Sequence, residues 1–165
     1  MSFVIRPYKA SDADPMSALF FDAVRKIGTR VYSPDQVAAW APEPALPADV
    51  HVRATDGRTT LVAVNSANEV IGYGDLEAQG HMDHLYRRPD VVGQGVGGAL
   101  IEAILALAQA AGLGRVYVDA SEVARSAFER KGFRLVERRD FVLRGVPIHN
   151  YRMEWTSIGP GIFPF

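Results

Sequence analysis

Four glycines crowd into six positions, Gly93, Gly95, Gly97 and Gly98, and an apolar helical pattern follows them without a break. Val96, Leu100, Ile104, Ala108 and Ala111 recur at three- and four-residue spacing, and Ile101 and Leu105 widen the stripe. No proline interrupts it, and Glu102 is its only charge. A helix that opens on glycines leaves its first N–H groups bare and approachable. Those donors, with the positive end of the helix dipole, favour an anion, and phosphate is the usual one. The chain must therefore bury the stripe while keeping the helix N-terminus open. A flexible turn before a buried helix would need only one of the four glycines.

The rest of the chain arranges itself around this helix. Residues 3–7 read as a strand. A helix capped by Ser11 or Asp12 follows, with Met16, Leu19, Phe20, Ala23, Val24 and Ile27 on its apolar face and Gly28 as its stop. Ser33, Pro34, Asp35 and Gln36 form a capping box that starts a short helix to about Ala41. Residues 41–49 hold three prolines and read as a loop. Residues 59–64 and 69–77 are strands joined by Asn65–Asn68 as a hairpin, and 81–87 is a third strand. After the long helix, 115–119 is a strand and Ser121 caps a helix to Arg130. Residues 133–143 and 147–155 are two long strands joined by Arg144 and Gly145. This order predicts a mixed α/β fold, a mostly antiparallel central sheet flanked by helices. It has one parallel crossover, from 81–87 through the long helix to 115–119. Residues 1–156 form a single domain and 157–165 an irregular tail. The tail's Phe163 and Phe165 suggest packing on a second copy, a homodimer.

Gly93, Gly95 and Gly98 match the dinucleotide fingerprint letter for letter, which would imply a nucleotide-dependent oxidoreductase. That fingerprint needs a strand running straight into the first glycine, and Arg88-Pro89-Asp90 breaks the strand earlier. A doubly wound sheet also needs further βα units, whereas this chain ends in two adjacent strands. No Lys-Ser or Lys-Thr follows the glycines, so a P-loop is excluded too. A net charge of −1 gives no reason to expect nucleic acid or an anionic membrane as partner. The absence of cysteine excludes disulfides, a thiolate metal site and an acyl-cysteine intermediate, and suits a reducing cytoplasm. The first residues show no signal-peptide core.

The run from Leu85 through Tyr86, Arg87, Val92, Gly93, Gln94, Gly95 and Val96 to Gly97 resembles the acetyl-CoA signature of the GNAT superfamily of N-acetyltransferases. Its usual form is a strand ending LYV, a proline, then Q/R-x-x-G-x-G/A opening a helix. The stretch from Ser121 to Phe133 resembles the family's second signature, N-x-x-A-x-x-F-Y-E-K-x-G-F. The two motifs stand at the family's separation, and the element order is the family's. The resemblance implies acetyl-CoA as co-substrate. Its pyrophosphate would lie on the amides from Gly93 to Gly98, and its pantetheine arm along the edge of Leu85, Tyr86 and Arg87, beside the strand ending at Asp119. Three positions depart from the pattern. Val92 stands at the Q/R position and offers only its backbone. Ser121 replaces Asn. Phe128 replaces a Tyr that often protonates the departing thiolate.

The implied reaction is direct attack of a primary amine on the thioester, with a backbone N–H near Leu85 or Tyr86 for the oxyanion. A non-catalytic acyl-CoA-binding module is the alternative. The ammonium must lose a proton, so a base is needed. The candidates are His81 and Asp83, with Glu77 third; strand alternation places Tyr73, Asp75 and Glu77 on one face and His81 with Asp83 on another. His81 and His84 would point to opposite faces, so no metal is expected. In the family's arrangement the acceptor, a small molecule or peptide, would meet Tyr32, Gln36, Trp40 and Tyr86. Asp75, Glu77 and Asp83 would suit a cationic one, such as a polyamine, an aminoglycoside or a lysine.

Overall fold

The computed structural model describes residues 1–157; the tail phenylalanines and the packing expected of them lie outside these. Eight strands and five α-helices appear among the described residues. In chain order they are β1 (Phe3–Pro7), α1 (Ala13–Ile27), α2 (Pro34–Trp40), α3 (Pro47–Ala54), β2 (Thr59–Asn65) and β3 (Val70–Leu76). Then come β4 (His81–Met82), β5 (Leu85–Arg87), α4 (Val96–Ala110), β6 (Arg115–Ala120), α5 (Arg125–Arg130), β7 (Arg134–Leu143) and β8 (Val146–Thr156).

The strands form two four-stranded sheets, ordered β1-β2-β3-β5 and β4-β6-β8-β7. Every pair is antiparallel except β4 with β6, where His81 faces Tyr117 and Met82 faces Val118. The predicted α/β class, antiparallel bias and parallel crossover are all present. The strand expected over 81–87 is not continuous. It breaks after Met82; its first part pairs with β6 in one sheet, and its second part pairs with β3 in the other.

Alternation along β2 explains the layering. Leu61 and Ala63 join Ile71 against Val96, Leu100, Ile101, Ile104 and Ala108 of α4. Val62 and Val64 point the other way, with Tyr73, onto Met16 and Leu19 of α1 and Val50 of α3. Most of the stripe of α4 is buried, whereas Leu105 is half-buried and Ala111, just past the helix end, is exposed. Leu100, Ile101 and Ile104 are 0% exposed. Each such side chain contributes roughly 1.5–3 kcal/mol. Helix α4 lies so close to β3 that a Cβ on Gly74 would stand 2.9 Å from Ile104 Cδ1 and 3.3 Å from the His84 carbonyl oxygen.

Other local expectations need adjustment. Gly28 keeps a right-handed helical conformation and leads α1 into a 3₁₀ turn over Gly28–Arg30, so it does not stop the helix by a left-handed turn. Asp12 precedes α1, but its carboxylate takes Arg6 and the Lys9 amide instead of capping the helix. Residues 47–49, read as loop, open α3. Ser121 Oγ accepts from the Ala124 N–H and caps a turn, and the helix itself starts at Arg125. The capping box at Ser33 and Gln36 forms as expected, each side chain meeting the other's backbone.

Candidate active site

The break between β4 and β5 makes the site. Beyond Met82 the two sheets diverge, and β5 has β3 on one side only. The His84 carbonyl accepts from Asp75 N at 3.2 Å and Arg88 N donates to Ile71 O at 2.9 Å, so these residues face β3. By alternation Leu85 and Arg87 turn their own N–H and C=O groups toward β6, into the gap. A cavity of about 170 Å³ fills it, lined by Asp83, Leu85, Tyr86, the end of β6, Phe128 and His149. A smaller one of about 50 Å³ shares Trp40, Leu85, Tyr86, Ser121 and Ala124 with it and continues to Arg87 and Val92, where the glycine loop begins.

The glycine loop is shaped by backbone. Pro89–Val91 make a 3₁₀ turn, then Gly93 and Gly95 take φ of 82° and 86°, values that glycine adopts without strain. Gly95 caps α4 from this left-handed conformation, so the first-turn amides of Val96, Gly97 and Gly98 open outward. Gly97 lies under the Arg87 guanidinium and Gly98 beside Lys131, which pairs with Glu102. Arg87 is different. It has no carboxylate partner among the described residues, and its Nε is buried without a hydrogen bond. Burial, then the charges of Arg130 and Arg30, push its pKa below the ordinary arginine value. Arg87 thus stands beside the bare first-turn amides of α4 with no anion of its own among the described residues. Such a site fits the phosphates of a CoA.

An ion-pair cluster holds the break open. Asp75 Oδ1 accepts the backbone N–H groups of Asp83 at 3.0 Å and His84 at 2.8 Å. Its Oδ2 takes Arg58 Nη1 at 2.9 Å and His84 Nδ1 at 2.8 Å. Burial raises the Asp75 pKa, but the His84 and Arg58 contacts outweigh it and hold the carboxyl below its usual range. Asp75 is therefore a buried, saturated strut and lines neither of the two cavities that meet at β5, unlike the acceptor-facing acid the sequence suggests. Arg58 also reaches Asp83 at 2.9 Å and Asp56. Asp75, Asp83 and His84, and likewise Glu77, His81 and Asp83, are close enough to share a cation, and the Arg58 guanidinium touches both groups.

The three candidate bases separate. Asp83 lines the cavity, its side chain 36% exposed. His81 instead bonds Glu77 at 2.9 Å and stacks on Tyr117 at 4.8 Å, so His81 and Glu77 sit outside the cavity lining. Tyr32, Trp40 and Tyr86 wall the cavity, and Tyr86 packs edge-on against Phe20. The Tyr32 hydroxyl donates to the His149 carbonyl at 2.8 Å and accepts from Glu122 N at 2.9 Å, bridging β8 and the end of β6. Gln36 ties α2 to the Pro147 carbonyl instead of facing the cavity. Phe128 is buried, edge-on to Phe133, and brings no polar atom.

Sequence reasoning missed one group. His149 Nε2 lies 2.6 Å from Glu122 Oε2, which also accepts the Tyr151 hydroxyl at 2.7 Å. Only the alternation of His149 and Tyr151 on one strand hinted at it; Glu122 arrives from a turn 27 residues earlier.

The divided sheet, the edge of β5 exposed between its halves and the glycine-capped α4 are the features of an acyl-CoA-dependent transferase fold. The comparisons agree. Residues 29–155 match the acetyltransferase (GNAT) domain model, and the chain belongs to that family. A GCN5-related N-acetyltransferase from Rhodopseudomonas palustris is 31% identical, with a TM-score of 0.86 over 94% of this chain and 96% of that one. The uncharacterised N-acetyltransferase YafP of Escherichia coli K12 is 28% identical over 92% of this chain and 94% of its own. Phosphinothricin acetyltransferase from Sinorhizobium meliloti, solved with acetyl-CoA, shares the fold at a TM-score of 0.76 and 20% identity, covering 100% of this chain and 94% of that one. Among the described residues no helix is long and apolar enough to cross a membrane.

Proposed function

We propose that the protein transfers the acetyl group of acetyl-CoA to a primary amine of a small molecule or peptide, by direct attack with both reactants in the cavity between β5 and β6. One observation carries this reading: the unpaired edge of β5 leads, through the turn at Pro89–Val91, to the bare first-turn amides of α4 beside Arg87, which has no counter-ion among the described residues. The CoA phosphates would rest on the amides of residues 93–98, and the pantetheine arm would hydrogen-bond Leu85 and Arg87. The Leu85 N–H, turned into the gap, is placed for the oxyanion. Asp83 is the group to take the amine proton, being the one of the three candidate bases that lines the cavity. Trp40, Tyr32 and Tyr86 would hold the body of the acceptor.

Acetyl-CoA should bind the wild type in calorimetry with a Kd on the order of micromolar. Gly95→Val should abolish that binding, because a β-branched residue cannot hold a φ of 86°. Normal binding by this variant would refute the loop assignment. A panel of primary amines, scored by CoA release, should then yield turnover; saturable binding with no turnover on any amine would favour a binding module instead.

A further inference from the structure

Direct attack on a thioester produces a thiolate as well as an amide. The titratable side chains that line the cavity are Tyr32, Asp83, Tyr86, Asp119 and His149. Four are committed elsewhere. The Tyr32 hydroxyl is spent on the His149 carbonyl, and burial raises its pKa. Burial raises that of Tyr86 further. Asp119 is clamped by Arg152 at 2.6 Å and Arg139 at 2.7 Å, and Asp83 is already the group that takes the amine proton. His149 remains. Its Nε2 is fixed on the Glu122 carboxylate, and its Nδ1 has no partner among the described residues. Imidazole is also the side chain whose charge ordinarily changes near neutral pH.

We propose that His149, oriented by Glu122, protonates the CoA thiolate as it leaves. The proposal rests on the acetyltransferase reading above. The amine nitrogen forms its bond to the acyl carbon, and the carbon–sulfur bond breaks with its electron pair going to sulfur. The Nδ1 proton of the imidazolium passes to sulfur, and the surplus amine proton passes to Asp83. Asp83 then loses its proton to solvent, and His149 regains one from it.

Among the described residues Glu122 is the charged group in hydrogen-bond contact with the His149 ring. Tyr32 and Tyr151 approach as neutral rings. Asp140 stands opposite in the β7–β8 register but is paired with Arg138 at 3.1 Å, and Arg125 of α5 is paired with Glu129 at 2.8 Å. Glu122 is the carboxylate in direct contact, and its hydrogen bonds from His149 and Tyr151 hold its pKa below the usual range. A carboxylate so placed fixes the orientation of the ring.

Coenzyme A itself is the probe. Its bound thiol is titrated by the ultraviolet absorbance of the thiolate in the wild type, His149→Gln and Glu122→Gln. In the wild type a positively charged His149 beside the sulfur should lower the thiol midpoint, giving about a tenfold larger thiolate fraction at a given pH below it than in His149→Gln. Glu122→Gln should fall between the two. Calorimetric CoA affinity should stay within about threefold of wild type in both variants, since neither side chain lines the cavity that leads to the glycine loop. An unchanged thiol midpoint in a folded, CoA-binding His149→Gln overturns the proposal. If that variant does not fold, the wild type decides. The His149 ring, followed by NMR, should titrate at higher pH with CoA than with desulfo-CoA; equal titration overturns the proposal. A wild type that binds no CoA overturns the acetyltransferase reading, and this proposal with it.

Discussion

Single residues at this site act by what they have already satisfied. Asp75 reads in the sequence as one of several acids along a strand. Its position in β3 gives it four hydrogen bonds, two of them to the backbone at the break. Its role is to keep the chain turned from one sheet to the other. Asp75→Asn would remove the charge facing Arg58 and set an amide group against N–H donors. We expect a loss of about 2–3 kcal/mol in urea unfolding at neutral pH. The folded pKa of Asp75 is depressed, so its contribution is complete above the unfolded value of about 3.9 and is lost as pH falls through the lower, folded value. The gap between wild type and variant should therefore close below about pH 4. A gap that persisted there would mean that Asp75 acts through packing, not charge.

At the scale of elements, what was legible in the sequence was local. The capping box at Ser33, the hairpin over residues 59–76 and the stripe of α4 each depend on neighbours within a few positions, and each formed as read, save that Ala111 falls past the end of α4 and is exposed. What was not legible depended on distant partners. Nothing within residues 81–87 marks a break; Asp75 and Arg58 impose it from β3 and the turn before β2. Helix α3 was hidden by its own prolines, although Pro47 at the first helical position, Asp49 in the first turn and buried Val50 and Ala54 spell it out in retrospect. The glycine loop was readable because its chemistry is in the backbone. The His149–Glu122 pair was not, because strand pairing assembles it. The contact of α4 with β3 offers a direct test of element packing. Gly74→Ala should cost about 1–3 kcal/mol, because the new methyl meets Ile104 Cδ1 and cannot displace the His84 carbonyl. Adding Ile104→Val should recover part of that loss beyond the additive sum in a double-mutant cycle. Simple additivity would mean that the strain lies entirely against the β5 backbone.

For the whole molecule, the divided sheet has a thermodynamic consequence. The two sheets meet at β4 and β5 and along α4, and the gap between them is lined by strand edges and, toward the glycine loop, by Arg87, whose charge has no partner among the described residues. A CoA lying along β5 with its phosphates beside Arg87, as proposed above, would supply the anion that this guanidinium lacks. Acetyl-CoA at about 100 times its Kd should stabilise the fold by about 2.7 kcal/mol. For a domain of this size that is a rise in Tm of about 5–11 °C. The rise should shrink in Arg87→Ala, whose own unliganded Tm should match or exceed that of the wild type, since a half-buried cation without a partner is removed. High salt should weaken CoA binding more in the wild type than in this variant, because one screened phosphate contact has gone. An Arg87→Ala protein with the full wild-type rise would place the phosphates elsewhere. A variant with lowered unliganded stability would show that Arg87 works as packing for α4 and not as a site held open for an anion.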